Sequence, residues 1–140
     1  MKFLFGVLIL VSLISTTSWS ETNPQTRACR LAGAEFLIVA SQEFIQGDDQ
    51  VGLCVFSGGA TLGSIDTLLF QNDETLSISA LAYLNGEKIC SGQIVNAHHL
   101  NTQIAMKLCQ YDDLSVIDLK TLSKGLNHKD NKSLTDFLKK

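Results

Sequence analysis

The sequence predicts an α+β fold: a small disulfide-stabilised domain with a short N-terminal helix and antiparallel β-hairpins. Three observations predict it. Four cysteines, Cys29, Cys54, Cys90 and Cys109, follow an apolar leader. A helix start and stop, Asn23-Pro24 and Gly33, stand close together early in the chain. Beyond Gly33, short runs of strand-forming residues alternate with turn signals.

The leader comes first. Met1-Lys2 is positive, Phe3 to Ile14 is apolar or Gly apart from Ser12, and Ser15 to Ser20 is small and polar apart from Trp19. That order is the three-region pattern of a signal peptide. Ser18 and Ser20 supply the small residues a signal peptidase needs, so cleavage is expected after Ser20. A spanning helix needs roughly 20 apolar residues, more than this run offers. Residues 21–140 would then form the mature chain, enough for one compact domain.

Asn23 is a good N-cap and Pro24 a favoured first helical residue. A helix through Ala28, Cys29, Leu31 and Ala32 should stop at Gly33. Glu35 to Ala40 reads as a strand, Gly47-Asp48-Asp49 as a turn, and Val51 to Phe56 as the returning strand. Gly58-Gly59 turns the chain again. Ser64 to Phe70 is apolar and fits a strand or a short helix. In Thr75 to Leu84, the residues Leu76, Ile78, Ala80, Ala82 and Leu84 would share one face of a strand. Asn85-Gly86 signals a hairpin, though it can also cap a helix. Glu87 to Val95 would be the paired strand, carrying Cys90. Thr102 to Gln110 carries Cys109, Asp112-Asp113 marks a turn, and Ser115 to Leu122 is a strand or helix. Lys124 to Lys132 reads as a polar linker. Ser133 should cap a last helix with Leu134, Phe137 and Leu138 on one stripe. The organisation expected is 1–20 leader, 21–72 first unit, 73–126 second half, and 127–140 linker and helix.

Charge excludes one class of partner. The chain's net charge is −3. Residues 21–119 hold twelve acids against four bases, while six Lys from Lys120 onward face only Asp130 and Asp136. An acidic body argues against nucleic acid. The Lys-rich end reads as a solvated terminus.

An even cysteine count in an exported chain implies two disulfides, with three pairings open. Pairing of neighbours would close two separate loops, each bridge adding about 3 kcal/mol. Zinc is disfavoured because no C-x-x-C spacing occurs.

Few residues look catalytic. His98-His99 is the most chemical pair, but adjacent residues diverge on a strand or helix, so both do not readily reach one metal. They read as an exposed loop pair, and His128 lies in the polar linker. Asp48-Asp49, Asp73-Glu74 and Asp112-Asp113 lack the alternating acids of a calcium loop and fit turns. No G-x-S-x-G, H-E-x-x-H, Walker loop or G-x-G-x-x-G is present. No catalytic residue, cofactor or metal ligand is therefore assigned.

Asn23, Pro24, Cys29 and Gly33, followed by Gly52, Cys54, Phe56 and the Gly58-Gly59 turn, carry a resemblance. Residues 23–70 resemble the bacterial exported domain of unknown function 333 family, whose members often bear a hemolysin label. Ala34 replaces the family's second Gly, and Ala60 to Phe70 lacks its further Cys. Cys109-x-Tyr111-x-Asp113-x-Ser115, with Leu122 and Gly125, resembles a degenerate second copy over about residues 85–126, in which Cys90 would stand where Cys29 stands. The resemblance implies the pairs Cys29–Cys54 and Cys90–Cys109. Nothing in the residues supports a pore, since no amphipathic spanning hairpin occurs.

The expected role is a secreted or periplasmic, non-enzymatic module that binds a protein or envelope component, without nucleic acid, cofactor or a membrane span after leader removal. The alternatives are a secreted inhibitor of an extracellular enzyme, and a hydrolase with a site near His98 and His99.

Overall fold

Residues 23–47 and 49–140 are described by a computed structural model. The leader, with its cut after Ser20, and Asp48 lie outside the described residues. Helix α1 spans Pro24–Leu31, followed by strands β1 (Glu35–Ala40), β2 (Gln50–Val55) and β3 (Thr61–Gly63) and helix α2 (Ser64–Asp73). Helix α3 (Ile78–Leu84) leads to β4 (Gln93–His99), β5 (Ala105–Gln110), β6 (Val116–Asp118) and α4 (Leu119–Lys124), and α5 (Lys132–Leu138) ends the chain. Short 3-10 turns occupy Ile45–Gly47 and Lys129–Asn131.

The α+β class and the N-terminal helix are as expected, but the hairpins do not lie open. The six strands close into an antiparallel barrel in the order β1-β2-β3-β6-β5-β4. Two seams close it: Leu62 opposite Ile117, and Val39 and Ala40 opposite His99 and His98. Side-chain alternation then sorts the apolar residues into two cores. Val39, Leu53, Val95, Ala97, Leu108 and Val116 fill the barrel. Their strand neighbours Cys54, Leu62, Cys109 and Ile117 point outward beneath the helices, where Tyr83, Leu122, Leu134 and Phe137 cover them.

The barrel consists of one unit used twice: a helix, three strands and a second helix. α1 and α3 end alike. Ala34 N–H bonds Cys29 C=O and Gly33 N–H bonds Arg30 C=O; Glu87 bonds Ala82 and Gly86 bonds Tyr83 in the same way. Gly33 and Gly86 both have φ of +79°, the left-handed step that such a helix stop requires. After the second strand, Phe56 N–H bonds Ala60 C=O as Tyr111 N–H bonds Ser115 C=O. Cys54 thus corresponds to Cys109, Phe56 to Tyr111, Leu62 to Ile117 and Gly63 to Asp118.

Cys29 pairs with Cys54, and Cys90 with Cys109, at Cα separations of 5.1 and 5.7 Å. The two bridges are not equivalent, which corrects the placing of Cys90 at the position of Cys29. Cys29 lies inside α1, and its structural counterpart at the end of α3 is Ala82. Cys90 lies beyond Gly86, in a segment that the first half lacks, and reaches Cys109 from the chain entering β4.

Several local expectations are overturned. Thr75 to Leu84 is not a strand. Ser77 Oγ accepts the Ala80 N–H at 3.3 Å and starts α3, and Ala80, Leu81, Ala82 and Leu84 are strong helix formers. Ala80 and Ala82 are buried while Ile78 is exposed, so the proposed common face does not exist. Asn85-Gly86 caps this helix instead of turning a hairpin. Glu87 to Val95 is strand only from Gln93, which leaves Cys90 in irregular chain. Two segments that fitted strand or helix are settled: Ser64 to Phe70 is helix, within α2, and Ser115 to Leu122 holds both β6 and the start of α4.

The C-terminal region is docked on the body. Phe137 packs on Phe56 and Phe70, with ring centroids 5.6 and 5.1 Å away. The Tyr83 hydroxyl meets Thr135 Oγ1 at 2.6 Å. The supposed linker is fixed by buried Asn131, whose Nδ2 donates to Thr121 and Gly125 carbonyls at 2.9 and 2.8 Å. α5 begins at Lys132 after Asn131, so Ser133 is inside the helix and does not cap it.

Candidate binding cleft

A cleft of about 670 Å³ lies beside the second half of the barrel. Its position follows from strand lengths. β6 pairs with β5 only over Leu108 to Gln110, so Ala105 to Lys107 have no strand neighbour on that side. α4 leaves the barrel directly after Asp118, and the space between opens as the cleft. Ile104, Ala105, Met106, Ala97 and Leu119 make its apolar wall. Lys107, Lys120, Ser123, Asn96 and His99 add polar groups, with Thr61 and Gly59 entering from the first half.

Asp118 also faces the cleft, but its carboxylate is occupied. It caps α4, with Oδ2 accepting from the Thr121 N–H at 3.2 Å and from Thr121 Oγ1 at 3.4 Å. Burial pushes its carboxyl above the usual range; Thr121 and the nearby Lys120 offset only part of that. Lys107 and Lys120 are exposed, and neither forms an ion pair among the described residues. Lys124, on the same helix, is held by Asp130 at 2.9 Å.

His98 and His99 are not an exposed loop pair. They end β4, half-buried, because closure of the barrel draws them opposite Ala40 and Val39. Strand geometry points them to opposite sides: His99 lines the cleft and His98 does not. Among the described residues, neither imidazole bonds to a carboxylate or hydroxyl. His128 sits elsewhere, its Nδ1 accepting the Asp130 N–H at 3.1 Å. Among the described residues, no group of three His, Cys, Asp or Glu is placed to hold a metal ion. The four cysteines are all bridged.

Glu74 and Asp113, from two of the acidic doublets, take cap and turn roles. Glu74 follows α2 in the left-handed conformation. Asp113 is partly buried, which alone would raise its carboxyl. It accepts the N–H groups of Ile78 and Ser115 and the Ser115 hydroxyl, and these hold it below the usual range.

A second polar cluster escaped the sequence reading. Asp66, on α2, is 3% exposed. Its Oδ1 accepts from the Ser77 and Ser79 hydroxyls, the latter at 2.6 Å, and its Oδ2 accepts the Val116 N–H at 3.4 Å. Burial outweighs these three donors and pushes the carboxyl up to about 6. It does not line the cleft, and what it does is join α2, α3 and β6. The available signal was a lone acid in the apolar run Ser64 to Phe70. For the cleft, the signal was the contrast between Gly52 and Lys107, each two residues before a half-cystine.

The chain matches no protein-family model, no curated protein and no solved structure. Among the described residues no helix is long and apolar enough to cross a membrane.

Proposed function

We propose that this chain is an exported, disulfide-braced binding module that holds a protein or envelope component in the cleft between α4 and the β4–β5 pair, without chemical turnover. The observation that carries the reading is the character of that cleft. Its volume lies in the range of ligand sites, and its mainly apolar wall stands beside polar groups, Lys107 and Lys120 among them, that can fix a ligand's orientation, as in sites that bind. Asp118, the one buried acid there, is committed to capping α4, and His99 has no acid or hydroxyl partner among the described residues. Two disulfides fit an oxidising compartment, which together with the leader supports a secreted or periplasmic place.

The test is photo-crosslinking in the native envelope. A photoreactive phenylalanine at Ser123, exposed on α4 and lining the cleft, should give a discrete adduct. The same group at Asn72, exposed on α2, should not. Adducts from position 72 with none from position 123 would move the binding surface elsewhere.

A further inference from the structure

The repeated unit reveals what the cleft is shaped for. In the first half, the outer face of β2 and the first turn of α2 are covered by the first turn of α1. A Cβ on Gly52 would lie 2.5 Å from Ser64 Oγ and 2.8 Å from Gln25 Oε1, and the Ser64 hydroxyl donates to Gln25 Oε1 at 2.5 Å. Further along, the Gln71 side chain donates to the Ala28 carbonyl at 2.8 Å. The counterparts of Gly52, Ser64 and Leu68 in the second half are Lys107, Leu119 and Ser123. All three line the cleft.

The second half has no helix to put there. α3, the counterpart of α1, is separated from β4 by residues 85–92. That segment covers only the far part of the equivalent surface. Cys90 is bonded to Cys109, and Lys88 lies so close that a Cβ on Gly125 would be 2.8 Å from its Cε. The near part, where α1 begins in the first half, stays open. The cleft is the place of a missing helical turn.

Resting on the binding reading above, we propose that the cleft receives the first turn of a helix from a partner protein, a turn that carries an acidic residue beside a bulky apolar one. Shape comes from the counterpart surface, which holds a helix start. The apolar requirement comes from Ile104, Met106 and Leu119. The acid comes from Lys107 and Lys120, cations without ion pairs on a body with twelve acids and four bases over residues 21–119. A helix start is also where a carboxylate is favoured by the uncovered N–H groups. A second copy of this chain does not meet the requirement through these helices, because the first turn of α1 holds no acid and Asp66, in the first turn of α2, is buried.

The experiment is selection of displayed random dodecapeptides on the immobilised mature chain, with both disulfides intact. Enriched peptides should place Asp or Glu next to Leu, Ile or Phe. Their affinity should fall about tenfold or more when Lys107→Glu and Lys120→Glu are combined, and Ser123→Trp should block them by filling the cleft. These three side chains are exposed, so the variants should keep the wild-type circular dichroism. Peptides blocked by Ser123→Trp but free of acids and indifferent to the Lys reversals would overturn the proposed chemistry while leaving the cleft a binding site. No enrichment, or peptides indifferent to Ser123→Trp, would overturn both. Phosphatidylglycerol vesicles should not co-sediment with the chain. Sedimentation lost on the Lys reversals would assign the cations to an anionic lipid surface and overturn the peptide proposal.

Discussion

Asp66 on α2 accepts the backbone N–H of Val116, the first residue of β6, at 3.4 Å. The related place in the other half behaves the same way: Thr61, the first residue of β3, donates its N–H to Thr121 Oγ1 on α4 at 3.0 Å. Each half thus supplies a helix side chain that holds the third strand of the other. The clasps differ in chemistry, one a neutral hydroxyl and the other a buried carboxyl.

That difference makes stability depend on pH. Asp66 titrates near 3.8 when unfolded and at about 6 when folded. Between those values the folded chain holds the extra proton. The favourable contribution is therefore complete below pH 3.8 and is lost as pH rises through 6, a change of about 3 kcal/mol at 1.36 kcal/mol per unit. Asp118, also raised, acts in the same sense. Asp113, held low, acts oppositely: its contribution is present above pH 3.8 and is lost as pH falls through its lower folded value. Asp66→Asn can still accept from Val116 and can donate to the serine oxygens. Urea denaturation of this variant should show a flatter profile between pH 4 and 6 and higher stability than wild type at pH 7. An unchanged slope would remove Asp66 from the account.

Gly52 and Lys107 occupy equivalent places under opposite conditions. Gly52→Ala puts a methyl against Ser64, Phe36 and Gln25 and should cost about 1–3 kcal/mol, in line with overpacking of a filled site. Lys107→Ala, on the open side, should stay within about 0.5 kcal/mol of wild type. Equal losses in thermal melts would contradict the contrast between the two halves.

How far the fold was legible depended on the segment. The α1 cap and stop and the β1–β2 hairpin stood in the residues because local chemistry decides them: Asn23 and Pro24 start a helix, and Gly33 ends it. Thr75 to Leu84 misled because its apolar residues alternate, and what tells helix from strand there is the Ser77 cap and the helix propensity of Ala80 and Ala82. Closure of the barrel was not legible. It rests on pairs such as Leu62 with Ile117 that join residues far apart in sequence, and no local pattern encodes such a partner. The cleft escaped for the same reason. Lys107 and Ser123 are unremarkable singly and meaningful only beside Gly52 and Leu68.

The disulfides should rank unequally. They close loops of 25 and 19 residues, so chain entropy alone gives each about 3 kcal/mol. Cys29 and Cys54 are both wholly buried in the outer core, whereas Cys90 is half-buried. Replacing the first pair with Ala also empties core volume and should cost about 1–2 kcal/mol more than replacing the second. Urea midpoints of the two double variants give the comparison, and the reverse order would argue against it.

Bridges confined to consecutive halves bear on how such a chain is oxidised. On the proposed export, a chain that emerges from a translocation channel N-terminus first presents Cys29 and Cys54 before Cys90 is outside. The first sulfur pair can then be sealed while no competing thiol is available, and the last two find only each other. Sequential oxidation alone thus yields the native linkage, with no need for a reshuffling catalyst. The long-range seams between β3 and β6 and between β1 and β4 can zip afterwards around covalent bonds already in place.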